Sequence, residues 1–204
     1  MAARKYEQQL RALGAAETRR RILDALREQL RAVPNEPVSL GQVAKAADVS
    51  RSTIYLVFGS RSGLFEELAT DLLLRGGMRQ MLRDAAHPDP REGLRGTVRG
   101  CVMMYATDVE VLRALSSMAV LDAESVGATL AQMESGRAGG MHQLAQRLSD
   151  QGVLREGVTV DAATDLLCLL TSFSSFDQLY TGRKLQAEQV VETLLLAAER
   201  GLCR

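Results

Sequence analysis

The chain has 204 residues, 46% of them hydrophobic and 25% charged, with a formal net charge of zero; this is ordinary globular composition, long enough to bury a sizeable core in one large domain or two small ones. No run approaches ~18 uninterrupted apolar residues, which argues against a membrane-spanning helix, and the opening stretch MAARKYEQQLRALGAAETRR lacks the apolar segment of a secretory signal. Cys101, Cys168 and Cys203 are widely spaced, odd in number and free of any CxxC or Cys/His grouping, so neither a disulfide framework nor a zinc site is indicated, and a reducing cytoplasm is expected.

The zero net charge conceals an asymmetry. Residues 1–62 carry 11 Lys+Arg against 6 Asp+Glu, and the remainder carries 14 against 19. A basic N-terminal third on an acidic body suits a nucleic-acid-binding head on a separate core. With no Trp, four Phe and four Tyr, the core falls to Leu, Val, Ala and Met.

In chain order, residues 1–16 are polar and are expected to form a flexible N-terminal segment. Ile22, Leu23, Leu26, Leu30 and Val33 then make one helical stripe, and Pro34 and Pro37 end it. Two short helices are predicted at about 39–47 and 50–58. A longer one starts near Ser62 with Leu64, Phe65, Leu68, Leu72 and Leu73, weakened at Gly76-Gly77. His87-Pro88-Asp89-Pro90 is a break. Further helices carry Leu94, Val98, Val102 and Tyr105; then Val111, Leu112, Leu115 and Met118 behind a cap at Asp108; then Val126 through Leu148, with Gly136, Gly139 and Gly140 suggesting a kink. Asp161 is expected to cap a helix over about 161–181 that is apolar on most sides, Gly182 to end it, and a last helix to span about 187–202. No alternating strand pattern and no fixed-period repeat occurs. The expected fold is all-α with about nine helices.

Function concentrates in residues 38–65. Ser39 followed by Gln42 is a capping-box pattern; Leu40, Val43 and Ala44 make the inner face of a two-turn helix. Asp48 stands where the turn requires a left-handed residue, and Asp tolerates that better than most. Ser50 caps a second short helix with Ile54 and Phe58 inward and Arg51, Ser52 and Tyr55 on the outward face. Two short helices joined by a tight turn form a helix-turn-helix, whose second helix enters the major groove. Arg51 suits a guanine edge, Ser52 and Thr53 a base or a phosphate, Leu56 a thymine methyl, and Tyr55 and Arg61 phosphate. A plain helical hairpin with a polar surface has the same periodicity.

Residues 18–74 resemble the N-terminal domain of TetR/AcrR-type transcriptional regulators. The resemblance is carried in order by Ile22-Leu23 and Leu26, Ser39-Leu40, Val43-Ala44, Ala47-Asp48-Val49-Ser50, Thr53-Ile54-Tyr55, Phe58-Gly59-Ser60-Arg61 and Gly63-Leu64-Phe65. It implies a DNA-binding domain at 17–76, with the helix-turn-helix at 39–58, and a helical ligand-binding and dimerisation domain at 77–204. It implies that Ser39 and Tyr55 contact backbone phosphate, that Arg51, Ser52 and Thr53 read bases, and that Arg61 stands in for a phosphate-binding Lys. Three positions depart from the family pattern: Asp48 replaces the usual turn Gly, Val57 a common His, and Leu56 a frequent aromatic. The implied protein is a repressor that binds a pseudo-palindromic double-stranded operator as a homodimer, without a cofactor.

The body supports the dimer independently, because a helix apolar all round needs more cover than one core supplies. Leu167, Leu170, Val191, Leu194 and Leu195 are candidates for a four-helix interface between two subunits; a purely internal core is the alternative. Met81, Met104, Tyr105, Met118, Phe173 and Phe176 are candidates to line a pocket for a small hydrophobic or amphipathic effector, or are simply core. Gly93, Gly96 and Gly100 either permit close helix packing or loosen their helix. No Ser/His/Asp set, paired carboxylates, phosphate loop or metal cluster stands out, and His87 and His142 read as surface residues. The rival classes are a ligand-independent DNA binder and a helical enzyme.

Overall fold

A computed structural model describes residues 2–34 and 36–204, with side chains from residue 12 onward. The described residues form eleven α-helices and two single π turns. Their only extended pairing is an isolated antiparallel bridge between Leu154 and Cys203. The helices divide into two compact units.

The first unit comprises the chain up to Thr70 together with Glu110–Leu130. It contains α1 (Ala2–Ala32), α2 (Leu40–Ala46), α3 (Arg51–Phe58), most of α4 (Arg61–Arg75), and α7 (Val109–Leu121) with the π turn Ala123–Gly127 that follows it. Its core is built from the expected stripe, Ile22, Leu26 and Leu30, with Val43, Ile54, Leu64, Phe65 and Leu68, and from Val111, Leu115 and Met118, all buried. Each such side chain contributes about 1.5–3 kcal/mol on removal from water. The first helix starts at Ala2, well before the stripe. Its early residues are largely Ala, Arg, Lys, Glu, Gln and Leu, strong helix formers that extend a helix on propensity alone.

The second unit comprises Asp71–Val109 and Ala131–Arg204. It contains α5 (Met78–Ala85), α6 (Pro90–Thr107), most of α8 (Ala128–Asp150), α9 (Val160–Leu170), α10 (Phe173–Asp177) and α11 (Ala187–Leu202). The α6 helix is packed by α5 on one side and by α11, which also packs on α9. Three glycines on α6 make the α5 contact possible. A Cβ would stand 2.9 Å from the Ala85 carbonyl oxygen at Gly93, 2.5 Å from Asp84 Cβ at Gly96, and 2.6 Å from Met81 Cβ at Gly100. The glycines therefore permit close packing. Arg147 of α8 donates to the carbonyls of Ala85 and His87 at the end of α5, groups that otherwise lack helical partners.

Two breaks raise the helix number from the expected nine to eleven. Gly77 takes φ 89°, a left-handed conformation, and separates α4 from α5. The apolar stretch expected as one helix over 161–181 divides at Thr171-Ser172. There Ser172 accepts from the Ser175 N–H at 3.1 Å and caps α10, which runs into the π turn Gln178–Gly182. The cap of α9 is also not Asp161. Thr159 Oγ1 accepts from the Ala162 N–H at 3.1 Å, and Asp161 sits in the first turn, where its charge favours the helix dipole. The α8 helix runs unbroken through Gly136, Gly139 and Gly140.

Candidate nucleic-acid interface

The local sequence fixes the helix-turn-helix at each joint. Ser39 is extended, with φ −91° and ψ 108°, and its hydroxyl accepts from the Gln42 N–H at the start of α2. Asp48 takes φ 52°, the left-handed turn residue that the spacing demanded. Ser50 then caps α3 by accepting from the Thr53 N–H at 3.0 Å, and Gly59 ends the helix at φ 76°. Ile54 and Phe58 are buried. On the opposite face Arg51, Ser52, Tyr55 and Leu56 are exposed, Leu56 to 86%.

The outward face is more differentiated than its sequence. Ser50 Oγ lies 2.7 Å from Ser52 Oγ and 2.8 Å from Thr53 Oγ1, so the three hydroxyls at the start of α3 form one local cluster. Arg51, Tyr55 and Leu56 project beyond it. At that exposure Leu56 contributes little to the core beneath α3.

Arg19 of α1 was not marked by any sequence signal. Its guanidinium lies 5.1 Å from the Phe58 ring centroid, donates to the Val57 carbonyl at 3.4 Å and pairs with Glu67 at 2.7 Å. It thereby ties α1 to the end of α3 and to α4, with its positive charge at the negative end of the α3 dipole.

Arg61 begins α4, and its guanidinium is engaged inside the first unit. Nε donates to Asp122 Oδ2 at 2.8 Å, Nη1 donates to the Val38 carbonyl at 3.2 Å, and the group lies over the Phe65 ring at 5.2 Å. Asp122 also accepts from the Ser125 N–H at 3.2 Å as the cap of the π turn. Partial burial would push the Asp122 carboxyl up; the hydrogen bonds from Arg61 and Ser125 outweigh it and hold the group below the usual carboxylate range.

In the second unit, Tyr105, Phe173, Phe176 and Tyr180 come together. Tyr105 meets Phe173 at 5.5 Å edge-to-face and Phe176 at 5.6 Å, and Phe176 stacks on Tyr180 at 4.9 Å. Tyr105 Oη donates to the Thr171 carbonyl at 3.0 Å. Arg137 donates to the Cys168 carbonyl at 2.9 Å and Thr171 Oγ1 at 2.8 Å. Met81 rests on Gly100 with its sulfur 3.7 Å from Cys101 Sγ, Met104 rests on Gly76, and Met118 is in the core of the first unit. Of the interface candidates, Leu167, Val191 and Leu194 are buried within the subunit, whereas Leu170 and Leu195 are half-buried. The apolar groups that α9 and α11 leave most open are Leu169 at 63% and Leu196 at 51% exposure. No group of metal-ligating side chains occurs among the described residues, and no described helix is long and apolar enough to cross a membrane.

Residues 22–68 match the family model described as bacterial regulatory proteins, tetR family. No curated protein matches the chain in sequence. Solved structures are similar over nearly the whole length. NalD of Pseudomonas aeruginosa, a secondary repressor of the MexAB-OprM multidrug efflux pump, is 24% identical with a TM-score of 0.72, over 94% of this chain and 98% of its own. A TetR-family transcriptional regulator from Rhodococcus sp. is 19% identical with a TM-score of 0.71, over 92% of this chain and 99% of its own. One from Syntrophomonas wolfei is 16% identical with a TM-score of 0.73, over 90% and 94%. These likenesses establish the fold.

Proposed function

We propose that this chain, whose residues 22–68 match the tetR family model, is a cytoplasmic repressor of that family. It binds a pseudo-palindromic operator as a homodimer and leaves it when a small apolar or amphipathic molecule binds the body. The single observation that carries the reading is the α3 face: a helix capped by Ser50, anchored by Ile54 and Phe58, and presenting Arg51, Tyr55 and Leu56 to solvent. Arg51 reads a base edge, Leu56 takes a thymine methyl, and Ser50, Ser52 and Thr53 bond bases or the adjoining phosphate. Ser39 and Tyr55 hold the backbone on either side. In this division residues 17–76 are the DNA-binding domain and 77–204 the effector and dimer domain. NalD, as a repressor of similar fold, supports the mode of action.

The effector reading is supported by the aromatic group of Tyr105, Phe173, Phe176 and Tyr180. A ligand that favours one of two states shifts their populations by its differential affinity. The test begins with duplexes selected by the full-length protein from a random pool. A recovered two-fold consensus is expected, and Arg51→Ala should weaken binding to it by ~1–3 kcal/mol in a gel shift. Equal affinity for selected and random duplexes would overturn the sequence-specific reading. A panel of apolar and amphipathic compounds scored by melting temperature tests the sensor, since a ligand of the folded state alone raises it. A compound that raises it and also releases the duplex is the expected outcome.

A further inference from the structure

We propose that Asp122 is an internal counter-ion that withholds Arg61 from DNA phosphate, so that the corner between α7 and α8 sets how many phosphates the head can neutralise. The inference rests on the DNA-binding reading above and deepens it. Arg61 opens α4 only two residues after Gly59 ends the base-reading helix. Its Nη1 donates to Val38, the residue before the exposed cap of α2. The guanidinium therefore stands between the two joints of the helix-turn-helix, 27% exposed, where an arginine is otherwise suited to phosphate. Its charge is matched by the Asp122 carboxylate at 2.8 Å, contributed from 61 residues further along the chain.

A carboxylate at hydrogen-bond distance offers the guanidinium what a phosphate oxygen would. It cancels the attraction of that arginine for the DNA polyanion and releases no counterion when DNA binds. Asp122 is held charged by its bonds from Arg61 and Ser125, so the cancellation persists across the neutral range. Asp122 is also the cap of the π turn Ala123–Gly127. A rearrangement of that turn changes the availability of Arg61, which gives a movement of the α7–α8 corner an electrostatic effect on the head.

Counterion release makes the proposal measurable, since each phosphate engaged adds about 0.9 to the slope of log K against log salt. Binding of the full-length chain to a random-sequence duplex is followed by fluorescence anisotropy across a potassium chloride series. Asp122→Asn and Asp122→Ser remove the charge yet keep a side chain able to cap the turn. Both are expected to bind several-fold more tightly at low salt, with a slope steeper by about 0.9. Arg61→Gln alone is expected to leave the slope of the unsubstituted protein unchanged, and Arg61→Gln with Asp122→Asn to return to that slope. A slope shallower by about 0.9 in Arg61→Gln would show that Arg61 already engages phosphate, and would overturn the proposal. So would an unchanged slope in variants of Asp122 that keep their melting temperature. Arg61→Gln decides the matter even where the Asp122 variants fold poorly. Absence of salt-dependent DNA binding in the unsubstituted protein would instead refute the DNA-binding reading itself.

Discussion

At the scale of single residues, backbone conformation and burial determine what each side chain can do. Asp48 holds φ 52° in the turn of the helix-turn-helix, where a β-branched residue has no low-energy conformation and Gly has no penalty. Asp48→Val is expected to lower stability by about 1–2 kcal/mol, read from denaturant midpoints, whereas Asp48→Gly should stay near the unsubstituted value. Cys101 is governed by burial, which pushes its thiol up to about 12 from 9.0. The folded state thus keeps its proton over a range where the unfolded chain releases it. The neutral thiol contributes its full stability below about pH 9 and loses it as pH rises towards 12. Denaturant midpoints of the unsubstituted protein should fall more steeply above pH 9 than those of Cys101→Ala. At pH 8 a thiol reagent should modify Cys101 only on unfolding, because the thiolate is the reactive form.

At the scale of elements, capping and close approach decide where helices begin, end and touch. The α5 helix buries no residue fully and depends on the glycines of α6 for its contact. Gly100→Ala places a Cβ 2.6 Å from Met81 Cβ and 3.3 Å from Met81 Cα, too close for a rotamer change to relieve. The expected cost is about 1–3 kcal/mol, the range for overpacking, measured as a lowered melting temperature. The same spacing on an exposed helix would make alanine the more stable residue, so the sign of the effect reports the α5–α6 contact. The divided helices α9 and α10 follow similar logic. Ser172 offers a hydroxyl to the Ser175 N–H, which rewards a new helix start over continuation.

At the scale of the whole molecule, the apolar surface that α9 and α11 leave uncovered, Leu169 and Leu196 foremost, argues for a second subunit, as does the two-fold operator of the proposed function. The 22.2 kDa chain should sediment as a dimer. Leu169→Glu should yield folded monomers, because the side chain is 63% exposed in the subunit and contributes little to its internal core. Those monomers should lose affinity for the selected two-fold duplex and retain weak binding to random DNA. A monomeric unsubstituted protein in sedimentation would remove the dimer from the mechanism.

The sequence alone determined the all-α class and the helix-turn-helix, because those features are local. A cap such as Ser50, a turn residue such as Asp48 and an inward pair such as Ile54 and Phe58 act within one or two turns of their own position. Their spacing therefore carries the geometry. Tyr105, Phe173 and Phe176 stand out in the sequence as scarce aromatic residues, but no local pattern records that their rings meet. Only the tertiary structure decided the division of the expected helix at Thr171-Ser172, where a propensity for helix on both sides hides a competing cap. Only it showed which of the interface leucines stay accessible, since burial depends on what packs opposite. Arg61 marks the limit most clearly. Its position in sequence suits a phosphate contact, yet its guanidinium is engaged by Asp122 at 2.8 Å from 61 residues away. A charge pairs with whatever the fold brings within a few ångströms, and no local pattern records that partner.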